Sequence, residues 1–205
     1  MTTRSSPLFL AMIVPVLLIG LYFTLPLPSG QNQSSESEEL SSLYQSLGEV
    51  PDFEFISSKK KPIKFSDFNG NLRVVSFFFT SCPSICPVIQ SGILKAKSHF
   101  NSDDQVTFLS ITVDPENDTP TAMEEFADKL GISDRDNWFF LRGEEKYTEE
   151  VMDHVFKVGS GQLPDQHSTR VIVIDKAGDV RSMIQGMDPD FSDQLLKVLN
   201  YLKTS

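Results

Sequence analysis

The chain has little of what would mark a disulfide framework or a nucleic-acid binder. It holds two cysteines, three histidines and one tryptophan in 205 residues. Two cysteines are too few to staple a small secreted scaffold, and a chain of this length can bury enough apolar surface without one. Basic residues are also scarce: 18 Lys and Arg against 28 Asp and Glu leave a net charge of −10. Such a balance offers no phosphate-gripping face, so nucleic acid is excluded as a partner. The only basic run, Lys59-Lys60-Lys61, reads as the solvated end of a hairpin. Met123, Met152, Met183 and Met187 are too scattered for a methionine copper motif and read as packing residues. No internal repeat and no second full-sized domain is visible.

One long apolar run is present. Residues 8–27 carry no charge and follow Arg4, and as a helix they would span about 30 Å, the depth of a bilayer core. Pro15 would kink such a helix without forbidding it. The run is longer than a signal-peptide core, no small-x-small cleavage site follows it, and no cysteine follows to take a lipid. Residues 1–28 are therefore expected to be a retained single-pass membrane anchor with Arg4 inside. Residues 29–46, rich in Ser, Gln and Glu, are expected to be a flexible tether. Residues 47–205 would form the domain outside. The anchor has no Arg-rich presequence ahead of it, which favours a bacterial inner membrane with the domain in the periplasm over a mitochondrion.

Within the domain, apolar–polar alternation at 51–57 and again at 63–65 predicts an extra amino-terminal hairpin across the lysine turn. Residues 72–79 read as a central strand, 88–100 as a helix, and 106–113 as a strand ending at Asp114-Pro115. Thr119-Pro120 opens a helix through Leu130, with Gly131 placed to end it. A short strand at 138–141 and a helical pattern at 144–156 follow. After a polar loop at 159–167 come a hairpin, 170–174 with 180–184, and an amphipathic helix over 189–202. This order predicts an α/β fold, a thioredoxin-like mixed sheet flanked by helices.

Cys82 and Cys86 lie where the central strand meets its helix, and strand ends of this kind are where open α/β sheets place their sites. Pro83 and Pro87 suit a first helical turn. If the turn is helical across the pair, both sulfurs point the same way, and helix-start amides favour thiolates. The chemistry is then a redox pair or two soft metal ligands. Thioredoxin-like enzymes normally place two residues between their cysteines, and here there are three. They also usually place proline before the strand facing the pair, where this chain has Thr169, with His167 just upstream. Two thiolates and that imidazole would make a three-coordinate home for Cu(I); with water they would accept zinc, and without metal the pair could exchange disulfides. His99 and His154 read as surface or packing residues. Asp114 either supports the site from a neighbouring strand end or simply starts a turn before proline.

Three stretches, Thr80-Ser81-Cys82-Pro83-Ser84-Ile85-Cys86-Pro87, Thr112-Val113-Asp114-Pro115-Glu116-Asn117-Asp118-Thr119-Pro120, and Asp165-Gln166-His167-Ser168 ahead of 171–175, closely resemble the Sco/SenC/PrrC family. The similarity runs over residues 51–202. It implies one copper ion, Cu(I) or Cu(II), on Cys82, Cys86 and His167, with Asp114 as a supporting acid. The implied function is a membrane-tethered copper chaperone that serves the Cu(A) subunit of cytochrome c oxidase. Other periplasmic copper chaperones or thiol reductants would be further partners. The alternative is a thiol-disulfide reductase acting through Cys82 and Cys86 on the Cu(A)-site cysteines, or a redox sensor. Third, a thiol peroxidase is disfavoured because Phe79, not threonine, stands three residues before Cys82. Ser84 and Gln166 depart from the family pattern, where aspartates are common. Those changes would alter hydrogen bonding around the metal without removing a ligand, and Asp165 is the candidate to replace one of them.

Overall fold

The computed structural model describes residues 45–101, 105–132, 137–159, 163–164 and 167–204. The expected anchor, nearly all of the tether, and Asp165 and Gln166 lie outside the described residues. Among those described, no helix is long and apolar enough to cross a membrane.

Seven strands form one mixed sheet: β1 (Glu54–Ser57), β2 (Pro62–Lys64), β3 (Leu72–Phe78), β4 (Val106–Thr112), β5 (Trp138–Arg142), β6 (Arg170–Ile174) and β7 (Val180–Gln185), in the order β2-β1-β5-β4-β3-β6-β7. β3, β4 and β5 run parallel, while β6 is antiparallel to β3 and β7 to β6. On the other side β1 lies antiparallel to β5 and pairs with β2 across the lysine turn, with Phe55 opposite Ile63. The helices are α1 (Ile85–Lys97), α2 (Pro120–Lys129), α3 (Glu145–Glu150) and α4 (Phe191–Thr204). The single helical pattern expected at 144–156 is in fact α3 followed by a π-helical turn over Val151–Val155.

β3 and β4 are buried along their whole lengths, as central parallel strands must be when both faces are covered. The period-two alternation of β3 divides its side chains between two cores. Leu72, Val74 and Phe78 join Ile89, Ile93, Met123, Phe126 and Leu195 under α1, α2 and α4. Val75 and Phe77 join Phe53, Phe65, Val151 and Phe156 on the opposite face. Gly92 lets α1 and α4 approach closely, because a Cβ there would sit 2.8 Å from the Phe191 ring.

One polar cluster lies inside the first core. Gln90 Nε2 donates to Ser76 Oγ at 3.2 Å, Ser76 and Ser110 share a bond at 3.0 Å, and Ser110 Oγ donates to Gln90 Oε1 at 3.2 Å. Trp138 Nε1 donates into this ring at Ser110 Oγ, 2.9 Å away. Every member is satisfied, so the ring fixes how α1 sits on β3, β4 and β5.

Candidate metal and thiol site

The reactive end of the sheet is where β3 and β4 finish and β6 begins. Because β6 runs antiparallel to β3, the approach to its first residue lies beside the last residues of β3. That topology brings His167 to the cysteines.

The helix start falls later than a turn helical across the pair would require. Ser84 is the N-cap, with non-helical φ −144° and ψ −58° and no side-chain cap. Cys82 thus precedes the helix, Cys86 is its second residue, and Pro87, not Pro83, occupies the first turn. The cap is instead a sulfur: Cys82 Sγ accepts the Cys86 N–H at 3.3 Å, taking one of the amides that a helix start leaves without a partner. Ser84, where the family often has aspartate, is exposed and gives no side-chain cap.

Both cysteines are free thiols, and the two environments differ. Cys82 is 9% exposed and Cys86 fully buried. Burial pushes the Cys82 thiol up, but the N–H groups of Cys86, Ser84 and Ile85 outweigh it, so its pKa falls below the ordinary thiol value. Burial pushes Cys86 up to about 12, helped by its contact with Cys82 and by the negative charge of Asp118. The helix start thus favours one thiolate rather than two.

His167 is half-buried, and its Nε2 stands 3.8 Å from Cys86 Sγ. Its Nδ1 lies 3.0 Å from the Ser168 carbonyl, which can only accept, so the ring proton is assigned to Nδ1. The Nε2 lone pair is thereby left facing the sulfur, as a ligating imidazole requires. Burial holds the His167 pKa below its usual value, the Ser168 bond offsetting this only in part, which keeps the ring neutral. The Phe79 ring meets it edge-on at 5.6 Å between centroids.

The donors fit a soft ion. A sulfur and a nitrogen held by one ion at bond lengths of about 2.3 and 2.0 Å stand roughly 3.6 Å apart, close to the Cys86–His167 separation of 3.8 Å. Among the described residues, no three or more His, Cys, Asp and Glu side chains are already gathered as a metal centre. The described geometry is thus that of a thiol pair with an imidazole at hand.

Asp114 makes no described contact with the thiols or with His167. Its carboxylate accepts from Asn117 Nδ2 at 2.9 and 3.0 Å, while its carbonyl accepts the Asp118 N–H at 2.9 Å. Asp114 shapes the turn, and the carboxylate which that turn presents is Asp118. Asp118 is fully buried and receives Thr80 N–H at 3.1 Å, Thr80 Oγ1 at 2.5 Å and the Thr112 hydroxyl. Sequence reasoning passed over it. The available signal was a carboxylate one residue before a Thr-Pro helix start, six positions after the threonine that ends β4. His99 caps the end of α1 through the Lys95 and Ala96 carbonyls, and His154 is exposed on the π turn. Neither approaches the thiols through any described contact.

A cleft of about 400 Å³ opens beside Cys82, with Thr80, Pro87, Phe126 and Leu130 in its walls. Ile85 and Val88, 40% and 55% exposed, lie on the neighbouring turn of α1.

Comparison with known proteins identifies the family. Residues 43–202 match the SCO1/SenC family. The SCO1 protein homolog of Bacillus subtilis is 25% identical over 154 residues, 72% of this chain and 79% of that protein. The solved structure of BsSco, described as a Sco-family cytochrome c oxidase assembly protein with a disulfide switch, superposes with a TM-score of 0.68 at 26% identity. That match covers 78% of this chain and 96% of the BsSco chain. Bradyrhizobium japonicum ScoI, solved with copper bound, has the same fold at a TM-score of 0.59 and 19% identity, over 76% of this chain and 99% of its own. With the strand–thiol–helix junction, the Asp-Pro turn and the facing histidine all within the matched residues, the chain belongs to the SCO1/SenC family.

Proposed function

We propose that this chain is a copper chaperone, tethered to the bacterial inner membrane by residues 8–27, with its domain in the periplasm. It holds one copper ion on Cys82, Cys86 and His167 and passes it to the Cu(A) centre of cytochrome c oxidase during assembly. The observation that carries the reading is the His167 ring, with its Nδ1 proton committed to Ser168 and its Nε2 lone pair facing Cys86 at 3.8 Å. A residue kept only for thiol exchange has no need of that orientation. The copper-bound relative and the relative named as an oxidase assembly protein support the same cargo and client.

The chain's own groups would act in order. The helix-start amides stabilise Cys82 as a thiolate, and a cation arriving at the pair replaces the Cys86 proton, compensating the thiolate charge that burial otherwise disfavours. His167 supplies a neutral third donor. Release proceeds by ligand exchange at Cys82, the ligand with an exposed edge, where a client sulfur can enter from the adjoining cleft.

The two unequal thiols also favour a second reading. Cys82 as thiolate could attack a client disulfide, giving a mixed disulfide and releasing one client thiolate. Cys86, once deprotonated, would displace the second client sulfur. The client leaves as a dithiol, the chain leaves with a Cys82–Cys86 disulfide, and a periplasmic thiol reductant restores it.

Changing His167 alone separates the two readings. His167→Ala leaves both sulfurs and the helix cap in place, so disulfide exchange continues with little change. Copper retention falls by about one order of magnitude or more, and the Cu(II) spectrum changes. Oxidase activity is then measured in a strain lacking the native gene, at matched protein levels and low copper. Loss of activity with H167A supports copper delivery. Full rescue by H167A, with no rescue by Cys82→Ser, overturns it in favour of the reductase.

A further inference from the structure

Neither reading uses Asp118 as a ligand or as a reacting group. Its side chain is fully buried, and none of the ion pairs among the described residues involves it. Its partners are neutral donors from two chain segments. Thr80 N–H approaches both carboxylate oxygens at 3.1 Å, Thr80 Oγ1 donates at 2.5 Å, and the Thr112 hydroxyl donates from the end of β4. Burying a carboxylate without a cation is costly, and a neutral side chain could join two loops at lower cost. What an anion adds is strength and direction: its bonds to N–H and O–H donors are about twice as strong as neutral ones. Those bonds are directed at Thr80, two positions before Cys82.

The chain beyond Phe78 leaves the sheet with few other restraints. The Cys82 N–H donates to the Phe79 carbonyl at 3.2 Å, and the Cys82 sulfur caps α1. α1 itself is fixed on the sheet by the Gln90 ring. Cys86 therefore has a rigid support, and the Cys82 sulfur leans on it through the cap, while the Cys82 backbone joins the sheet through the short Phe79–Ser81 link that Asp118 holds at Thr80. We infer that Asp118 is the positioning residue of this site: its buried carboxylate clamps Thr80, two residues beyond β3, to Thr112 at the end of β4, and so fixes where Cys82 stands relative to Cys86 and His167. The inference rests on the copper reading for its consequence, and on the thiol pair alone for its geometry. The clamp is therefore testable without metal.

The test uses the full chain in detergent, reduced and metal-free, as wild type, Asp118→Asn, Thr112→Val and Thr112→Ser. D118N keeps the shape of the side chain but replaces one acceptor oxygen by a donor. T112V keeps the shape of threonine and removes the hydroxyl, while T112S restores it. The first readout is the equilibrium of the Cys82–Cys86 bridge against glutathione. The second is retention of added Cu(I) against a chelator, together with the Cu(II) absorption spectrum. Changes to groups that orient a ligand typically weaken a metal site by about 10- to 100-fold. D118N and T112V should lose retention within that range, shift the glutathione equilibrium by about tenfold and move the Cu(II) bands, while T112S matches wild type. Circular dichroism should show all four folded alike. Wild-type values for D118N and T112V in both readouts overturn the clamp, as does equal failure of T112S and T112V. If wild type itself retains no copper, the copper reading falls, and a glutathione shift in D118N and T112V that T112S does not show still upholds the clamp.

Discussion

The two ends of β3 set the same physical problem and use it differently. Near its start Arg73 is fully buried, with Nη2 donating to the Asp175 carbonyl at 2.6 Å, Nη1 reaching Asn69 Oδ1 at 3.4 Å, and the guanidinium 4.5 Å above the Phe65 ring. Beyond its far end lies Asp118, a buried anion among neutral donors. Each charge ties a loop to the sheet through uncharged partners. At the Arg73 end the tied segment is the β6–β7 turn, where Asp175 accepts the N–H groups of Ala177, Gly178 and Asp179 and pairs with Arg181 at 3.0 Å. No described contact joins that turn to a thiol or a histidine. At the Asp118 end the tied segment carries Cys82. A buried charge is thus not in itself a mark of function; what matters is what hangs from the loop it holds.

The sharpest difference lies within the functional end. With Cys82 below the ordinary thiol pKa and Cys86 raised to about 12, the thiolate fractions at one pH differ by about three orders of magnitude or more. Iodoacetamide at pH 8 should label Cys82 on the reduced native chain and leave Cys86 unmodified until the chain is unfolded. Peptide mapping showing equal labelling would remove the asymmetry on which both the metal and the exchange mechanisms draw.

The next effect belongs to the other end. Arg73→Ala takes one of two donors from the Asp175 carbonyl, which keeps the Gly178 N–H, removes the bond to Asn69 and leaves a void over Phe65, at a cost of about 3 kcal/mol in unfolding free energy. Copper retention per folded molecule should stay at the wild-type level. Urea unfolding and copper titration of the same sample check both halves, and a loss of copper without a loss of stability would erase the division of labour.

The smallest effect falls between the two ends. Gln90→Leu opens the hydrogen-bonded ring, leaving Ser76 and Ser110 with each other and Trp138, at a cost of about 1 kcal/mol. Because Gln90 lies one helical turn after Cys86, this variant should also loosen the α1 start. Faster amide exchange at Cys86 and Pro87's neighbours, compared with the Arg73 variant at equal stability, would show it.

Much of this was legible in the sequence. The apolar run into Cys82, the Thr-Pro helix start, the Asp175-Gly178 turn and the two strands of the last hairpin are local patterns, and local patterns survive folding. His167 was legible through the topology, since a strand antiparallel to β3 must begin beside the end of β3. Asp118, Gln90 and the Cys82 cap were not. Gln90 sits on the buried stripe of α1, where a polar residue looks like an exception until Ser76 and Ser110 arrive from two strands. Asp118 acts on Thr80, 38 positions away, and nothing in the order of residues says which of several turn carboxylates will reach a neighbouring strand. Cys82 becomes a cap only because Ser84 leaves the helical conformation.

The antiparallel placement of β6 also sets an order of events as the chain folds. The two thiols are separated by four positions, the imidazole from Cys86 by 81. Closing the longer loop carries an extra entropy cost of about 3 kcal/mol, so the sulfurs meet while β6 is still searching for β3. A newly made chain therefore has its oxidisable pair before its nitrogen donor. The imidazole's arrival marks the docking of the last strands, and only a chain that has completed its sheet has the nitrogen beside its sulfurs.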